Sequence, residues 1–240
     1  VTDGRLDATT LHSAGALVVS SRDGTQVQNL QSGGNAVADA TLGDVKVDVL
    51  QAAGDARLNA GGSIHLDDAR VGGLLSLLAI DSVVLAEAGQ VASSGDASID
   101  AHDMRMGLGS QLVSGGNVTV QGTGDVQLGQ VVANGEHGQI EVRTAGNADR
   151  DVHLQGRSVN LLAGGDIGSS VQALGVQAGN LQEVISTAGD IRLQLSQAAR
   201  LETVSAAAGR VELVANGLLT VDQLQAGGNA SVAADGLLLQ

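Results

Sequence analysis

Apolar and polar residues alternate along this chain in runs too short to build a helix face. Residues 114–130 read SGGNVTVQGTGDVQLGQ, and two triplets, Val118-Thr119-Val120 and Val126-Gln127-Leu128, each set one polar residue between two apolar ones. Each follows a Gly with Asn or Asp after it (Gly116-Asn117, Gly124-Asp125). The unit of Gly, often Asn or Asp, then apolar–polar–apolar recurs at Gly43, Gly54, Gly62, Gly73, Gly95 and Gly138, and again at Gly189, Gly209, Gly217 and Gly228. Successive starts alternate between roughly 8 and roughly 11–14 residues, so every second start gives a period of roughly 19–22 residues.

This alternation is that of a strand with one wet and one dry face. Val118, Val120, Val126 and Leu128 are expected inside, Thr119 and Gln127 outside. Strands this short are not stable as isolated hairpins, but strands recurring at a fixed interval can stack coil on coil and share one apolar interior. The expectation is an all-β parallel β-helix (β-solenoid) of about twelve coils of roughly 20 residues, near 55–60 Å long at a strand spacing of about 4.8 Å. A β-sandwich would carry longer strands and aromatic core residues, and a disordered Gly-rich tract would not hold the apolar–polar–apolar phase. The residues after Gly should line up along one turn as Asn35, Asp55, Leu74, Asp96, Asn117 and Gln139, their side chains bonded to nearby backbone in tight turns. Neutral members of that series limit the repulsion between stacked Asp.

Composition narrows the picture. The chain is 43% apolar yet has no aromatic residue, no Pro and no Cys, and its 35 Gly punctuate the alternation as turn residues. Small side chains suit a narrow core. Twelve basic against 26 acidic residues give a net charge of −14, and Lys46 is the only lysine, which argues against a nucleic-acid or other polyanionic partner. The lack of Cys removes disulfides, thiolate metal sites and Cys nucleophiles. The start, VTDGRLDATT, has no signal-peptide pattern. The most apolar stretch, 72–86, contains Ser76, Asp81 and Ser82 and is too short for a membrane span. The chain reads as a single unit, 1–240, cut from a longer protein.

Two stretches break the beat and read as insertions on one side of the rod. Residues 143–158, RTAGNADRDVHLQGRS, gather Arg143, Asp149, Arg150, Asp151 and Arg157, the candidate contacts for a partner such as a host or bacterial surface receptor or a glycan. Residues 166–189 lengthen one interval and allow a short helix around Asn180–Ser186. Elsewhere the search for chemistry yields little. His12, His65, His102, His137 and His153 lack metal-ligand spacing. A solenoid carbohydrate-active enzyme would need grouped carboxylates and usually aromatic sugar platforms. The nearest acidic pair, Asp67-Asp68, reads instead as a surface ion pair with Arg70. AGGDIGSSV (163–171) is only a fragment of a calcium-binding repeat. NVT (117–119) and NAS (229–231) match the N-glycosylation pattern but fall where turns already favour these residues. No cofactor, metal or catalytic residue is expected.

The segments AGGSIHL (60–66), SGGNVTV (114–120), TAGDIRL (187–193) and AAGRVEL (207–213) resemble the repeat shaft of filamentous-haemagglutinin-like exoproteins, the two-partner-secreted adhesins and contact-dependent growth-inhibition proteins of bacteria. The resemblance covers most of the chain outside the two irregular stretches. It implies a right-handed β-helix, a secreted or cell-surface location, and export by an outer-membrane secretion partner. That partner would act through a domain marked by Asn-Pro motifs, which this Pro-free chain lacks. The flanking coils of the same polypeptide would then be its nearest partners. GRLDATTLHSAGALVVS (4–20) begins a coil at once and GLLLQ (236–240) runs apolar to the last residue. The native polypeptide is therefore expected to continue on both sides, and the isolated chain to associate end to end.

Overall fold

The computed structural model describes residues 2–149 and 153–240, with Asp149 described by its backbone alone. The fold is an all-strand parallel β-solenoid of about 12 turns of roughly 20 residues, with no helix among the described residues. Every strand pairing within it is parallel, and each strand segment pairs with its counterparts one coil before and one coil after. A regular coil contributes three strand segments. In the coil that begins at Val45, the strand Val45–Ala52 carries the first two segments across a bend at Asp48, and Ala56–Ala60 is the third. We call the three stacks faces 1, 2 and 3 in chain order.

Inward side chains stack in columns along each face, and one column on each face shows the pattern. On face 1 the column runs Val45, Ile64, Val83, Met104, Val126, Ala148, Ile167, Ile191, Val211. On face 2 it runs Leu30, Leu50, Ala69, Val91, Leu112, Val131, Leu154, Val176, Leu195. On face 3 it runs Ala38, Leu58, Leu77, Ile99, Val120, Val142, Leu161, Val184, Val204. All of these side chains are buried. Burying each Val, Leu or Ile contributes about 1.5–3 kcal/mol, so the hydrophobic stabilisation is spread evenly along the rod. Val118, Val120, Val126 and Leu128 point inward, while Thr119 and Gln127 are partly exposed, as the alternation requires.

Asn180–Ser186 is a strand, not a helix. It pairs with Ser158–Ala163 before it and Ala199–Ala206 after it. A register shift between Val159 and Leu161 places Leu181 and Val184 side by side in the core. That bulge produces an apolar spacing of three, which a helix would also produce. The described parts of 143–158 stay within the coil: Ala148–Asp149 pairs with Val126–Gln127, and His153–Gln155 with Gln130–Val132. Within 166–189 the chain leaves the strands between the Ile167 bridge and Leu174–Gln177, forming a loop around Gly168–Ala173.

Candidate functional site

The repeated Gly–Asx unit occupies two corners of the coil, which accounts for the two alternating intervals in the sequence. AGGSIHL, TAGDIRL and AAGRVEL lie at the corner from face 3 to face 1, and SGGNVTV at the corner from face 2 to face 3. At each corner the Asx carboxylate or amide oxygen accepts a hydrogen bond from the backbone N–H of the matching residue one coil on. At the face 3–face 1 corner Asp103 accepts from Asp125 (2.8 Å), Asp125 from Asn147 (2.8 Å), Asn147 from Asp166 (2.8 Å), Asp166 from Asp190 (2.7 Å) and Asp190 from Arg210 (2.8 Å). At the other corner Asn35 accepts from Asp55 (2.9 Å), Asp55 from Leu74 (2.9 Å), Asp96 from Asn117 (2.7 Å) and Asn117 from Gln139 (3.0 Å). The column expected from spacing is therefore present, but its bonds run between coils instead of closing turns within one.

The glycines follow from this ladder. A Cβ on Gly54, Gly73, Gly116 or Gly165 would overlap the Oδ1 of Asn35, Asp55, Asp96 or Asn147 in the coil before. None of these four glycines has a positive φ. They are small so that the acceptor of the preceding coil can pass over them, not because the turn is left-handed. A buried hydroxyl completes several corners. The Ser114 hydroxyl donates to the Gly95 carbonyl (2.7 Å) and accepts from the Gly116 N–H (3.1 Å). Ser186 does the same with Gly165 (2.7 Å) and Gly189 (2.9 Å). This satisfies backbone groups that a tight corner would otherwise leave unpaired.

The ladder takes up several residues that the sequence offers for other chemistry. Asp166, within the calcium-like fragment, and Asn117, within the NVT triplet, are both ladder acceptors. Asp68 accepts from the Gln90 N–H (2.9 Å), and neither Asp67 nor Asp68 pairs with Arg70, so the surface ion pair expected there is not formed. Burial and the neighbouring Asp48 raise the Asp67 carboxyl above its ordinary range. The N–H of Arg210 and the nearby Arg192 guanidinium lower that of Asp190. Among the described residues, no three His, Asp or Glu side chains converge as a metal site requires. His102 shares a 2.7 Å hydrogen bond with Thr123.

Of the five candidate contact residues, Arg143 and Arg157 are the two whose side chains are described, and they lie at opposite margins of one face. Arg143 is exposed on face 3, in register with Asp100, Gln121 and Leu162 of neighbouring coils, and its Nε pairs with Glu141. It lines an open groove of about 460 Å³ with Asp100, Gln121, Thr123 and Leu162. Arg157 lies at the opposite margin of the same face, where its guanidinium donates to the Glu136 carbonyl (2.7 Å). The Asp149 side chain, Arg150 and Asp151 lie outside the described residues. Sequence reasoning passed over Arg192. This mostly buried side chain pairs with Asp190 (2.9 Å) and Glu212 (3.5 Å) and reaches the Ser169 carbonyl (3.4 Å). The signal available was its place between two core residues, Ile191 and Leu193, and two positions after Asp190.

No protein-family profile, curated protein or solved structure matches the chain.

Proposed function

We propose that the chain is a shaft: a stiff, non-catalytic spacer within a secreted or surface-displayed bacterial exoprotein of the filamentous-haemagglutinin-like kind, holding a distal binding or effector region away from the cell. The observation that carries this reading is the construction of the corners. Side-chain acceptors and backbone N–H groups tie successive coils from Asp103 to Arg210 without a break, in parallel with three apolar columns. Such a body resists bending and holds its ends a fixed distance apart. The four segments that resemble exoprotein shafts are corner segments, so the resemblance falls on the residues that build the rod.

A second reading has its own observation. Asp100, Gln121 and Arg143 offer a carboxylate, an amide and a guanidinium in register along the face 3 groove, which suits a glycan or receptor contact. Two measurements on the whole chain separate the readings. Deleting residues 96–116 joins Gly95 to Asn117, and in a shaft it shortens the longest dimension from small-angle scattering by about 4.8 Å while leaving a cooperative melt. Binding of the intact chain to a glycan or cell array, abolished by Arg143→Ala, would replace the shaft by the binder.

A further inference from the structure

We propose that the loop Gly168–Ala173 is a site of limited proteolysis for an endopeptidase that prefers a small aliphatic residue before the scissile bond. We further propose that cleavage at Val171–Gln172 leaves the rod assembled.

Val171 is 92% exposed, the highest value among the described large hydrophobic residues that face solvent. It differs from the others in its backbone. Leu42 and Ile80 donate their N–H to the preceding coil (2.8 and 3.2 Å), Leu74 donates to Asp55, and the Leu108 carbonyl accepts from Ala88 (2.8 Å). Val18, Leu78, Val214, Leu218, Leu237, Leu238 and Leu239 sit in paired strands. Val171 has no hydrogen bond to any described residue. The bonds that shape its loop are internal: Ser169 donates to the Gln172 carbonyl (2.7 Å), and the Gln172 N–H donates to the Ser169 hydroxyl (3.1 Å). The Arg192 guanidinium reaches the Ser169 carbonyl, which fixes the loop base against the rod. A protease needs a segment it can draw out in extended form. Ser170–Ala173 leave without breaking an inter-coil bond among the described residues, while the Gly168 N–H, which donates to the Ala148 carbonyl (2.8 Å), stays with the loop base.

The residue types select the protease. The chain has no aromatic residue for a deep apolar specificity pocket. Ser169, Ser170, Val171 and Gln172 present only small or uncharged side chains, and a shallow pocket of the elastase type accepts Val. Hydrolysis adds one water across the Val171–Gln172 amide, giving a new carboxylate on Val171 and a new amine on Gln172.

Both new ends remain anchored close to the cut. Ile167 is fully buried and bridges both Ala148 and Ile191. Its N–H donates to Asp190 (2.9 Å), and the Asp166 carboxylate accepts from the Asp190 N–H (2.7 Å). On the other side, Leu174 is fully buried, and Leu174–Val176 pairs with Leu193–Leu195.

The test is limited proteolysis of the whole chain under native conditions with pancreatic elastase, read by intact mass, size exclusion and circular dichroism. The expected result is a first cut after Val171, giving fragments 1–171 and 172–240 that co-elute, keep the β signal and separate only in denaturant. Val171→Asp, which should not disturb the fold, is expected to slow that cut at least about tenfold, since a small apolar pocket rejects a misfitting side chain. A first cut anywhere else, or resistance of the loop while the strands are degraded, would overturn the site. Fragments that part without denaturant would overturn the claim that the nicked rod holds.

Discussion

Gly116→Ala isolates the reason for the corner glycines. Gly116 has an ordinary backbone φ, so alanine there meets no dihedral penalty. Its Cβ would overlap Asp96 Oδ1 and push the carboxylate off the Asn117 N–H that it now accepts at 2.7 Å. A hydrogen bond of this type is worth about 1.5–3 kcal/mol where protected and near 1 kcal/mol where solvent competes, and Asp96 is exposed, so the lower figure applies. Against that, alanine restricts the unfolded chain and returns about 0.4–1 kcal/mol. Gly179 provides the control, because a Cβ there meets nothing within 4 Å and its φ is also ordinary. Gly179→Ala should keep the unfolded-state gain and lose nothing. The two variants should therefore differ by about 1 kcal/mol or more, equivalent to roughly 2–4 °C in Tm for a chain of this size. Urea and thermal unfolding followed by circular dichroism measure the difference. Adding Asp96→Ala should shrink the Gly116→Ala penalty, because the displaced acceptor is already gone. Equal midpoints for Gly116→Ala and Gly179→Ala, or a penalty unchanged in the Asp96→Ala background, would show that the glycine is not there to admit the acceptor.

Other expectations follow from the same structure. Val120→Asp should cost about 3 kcal/mol or more by burying an unpaired charge, while Thr119→Asp, one residue away and facing out, should cost about 0.5 kcal/mol or less; equal thermal shifts would refute the inward–outward assignment. Because the Asp190 carboxyl is lowered in the fold, its contribution is complete above the ordinary carboxylate range and is lost as pH falls through the folded value. Asp190→Asn should therefore destabilise at neutral pH, with the difference from the parent closing in acid. Asp67 has the opposite sign: its carboxyl is raised, so ionising it opposes folding as pH rises. Asp67→Asn should raise the melting temperature at neutral pH and not in strong acid, as a pH series of melts would show. Chelation with EDTA should leave the β signal and melting temperature unchanged if the corner carboxylates serve backbone N–H groups alone; a loss restored by Ca²⁺ would assign some of them to a metal.

Much of this architecture was legible in the alternation because an inward–outward triplet specifies a strand wherever it occurs, and a fixed interval stacks like positions. Asn35, Asp55, Leu74, Asp96, Asn117 and Gln139 fall in one column for that reason alone. The purpose of the glycines was not legible, since it depends on an atom one coil away and not on the local dihedral that a glycine usually signals. Asn180–Ser186 misled for a related reason. Its three-residue apolar spacing is set by a bulge, and Leu201 with Val204, then Val221 with Leu224, continue the same bend in the coils that follow. The charged residues of 143–158 stood together in sequence, but Arg143 and Arg157 project from opposite margins of face 3. Adjacency along a coiled chain does not make a patch. Residues that share a column, such as Asp100, Gln121 and Arg143, lie far apart in sequence.

The use of one Gly–Asx unit at two corners governs what happens when the gene for such a rod is copied out of register. The corners look alike as sequence, but crossovers between them do not give equivalent products. A crossover between like corners, Gly95 with Gly116 for instance, adds or removes a whole turn, and every column continues with its neighbours matched. A crossover between unlike corners, such as Gly54 with Gly62, brings a face 1 strand to the place of a face 3 strand, and that coil cannot close. Changes of length that the fold accepts are therefore whole turns. Each such event also re-registers the outer surface, bringing side chains from distant coils next to one another while the interior is unchanged.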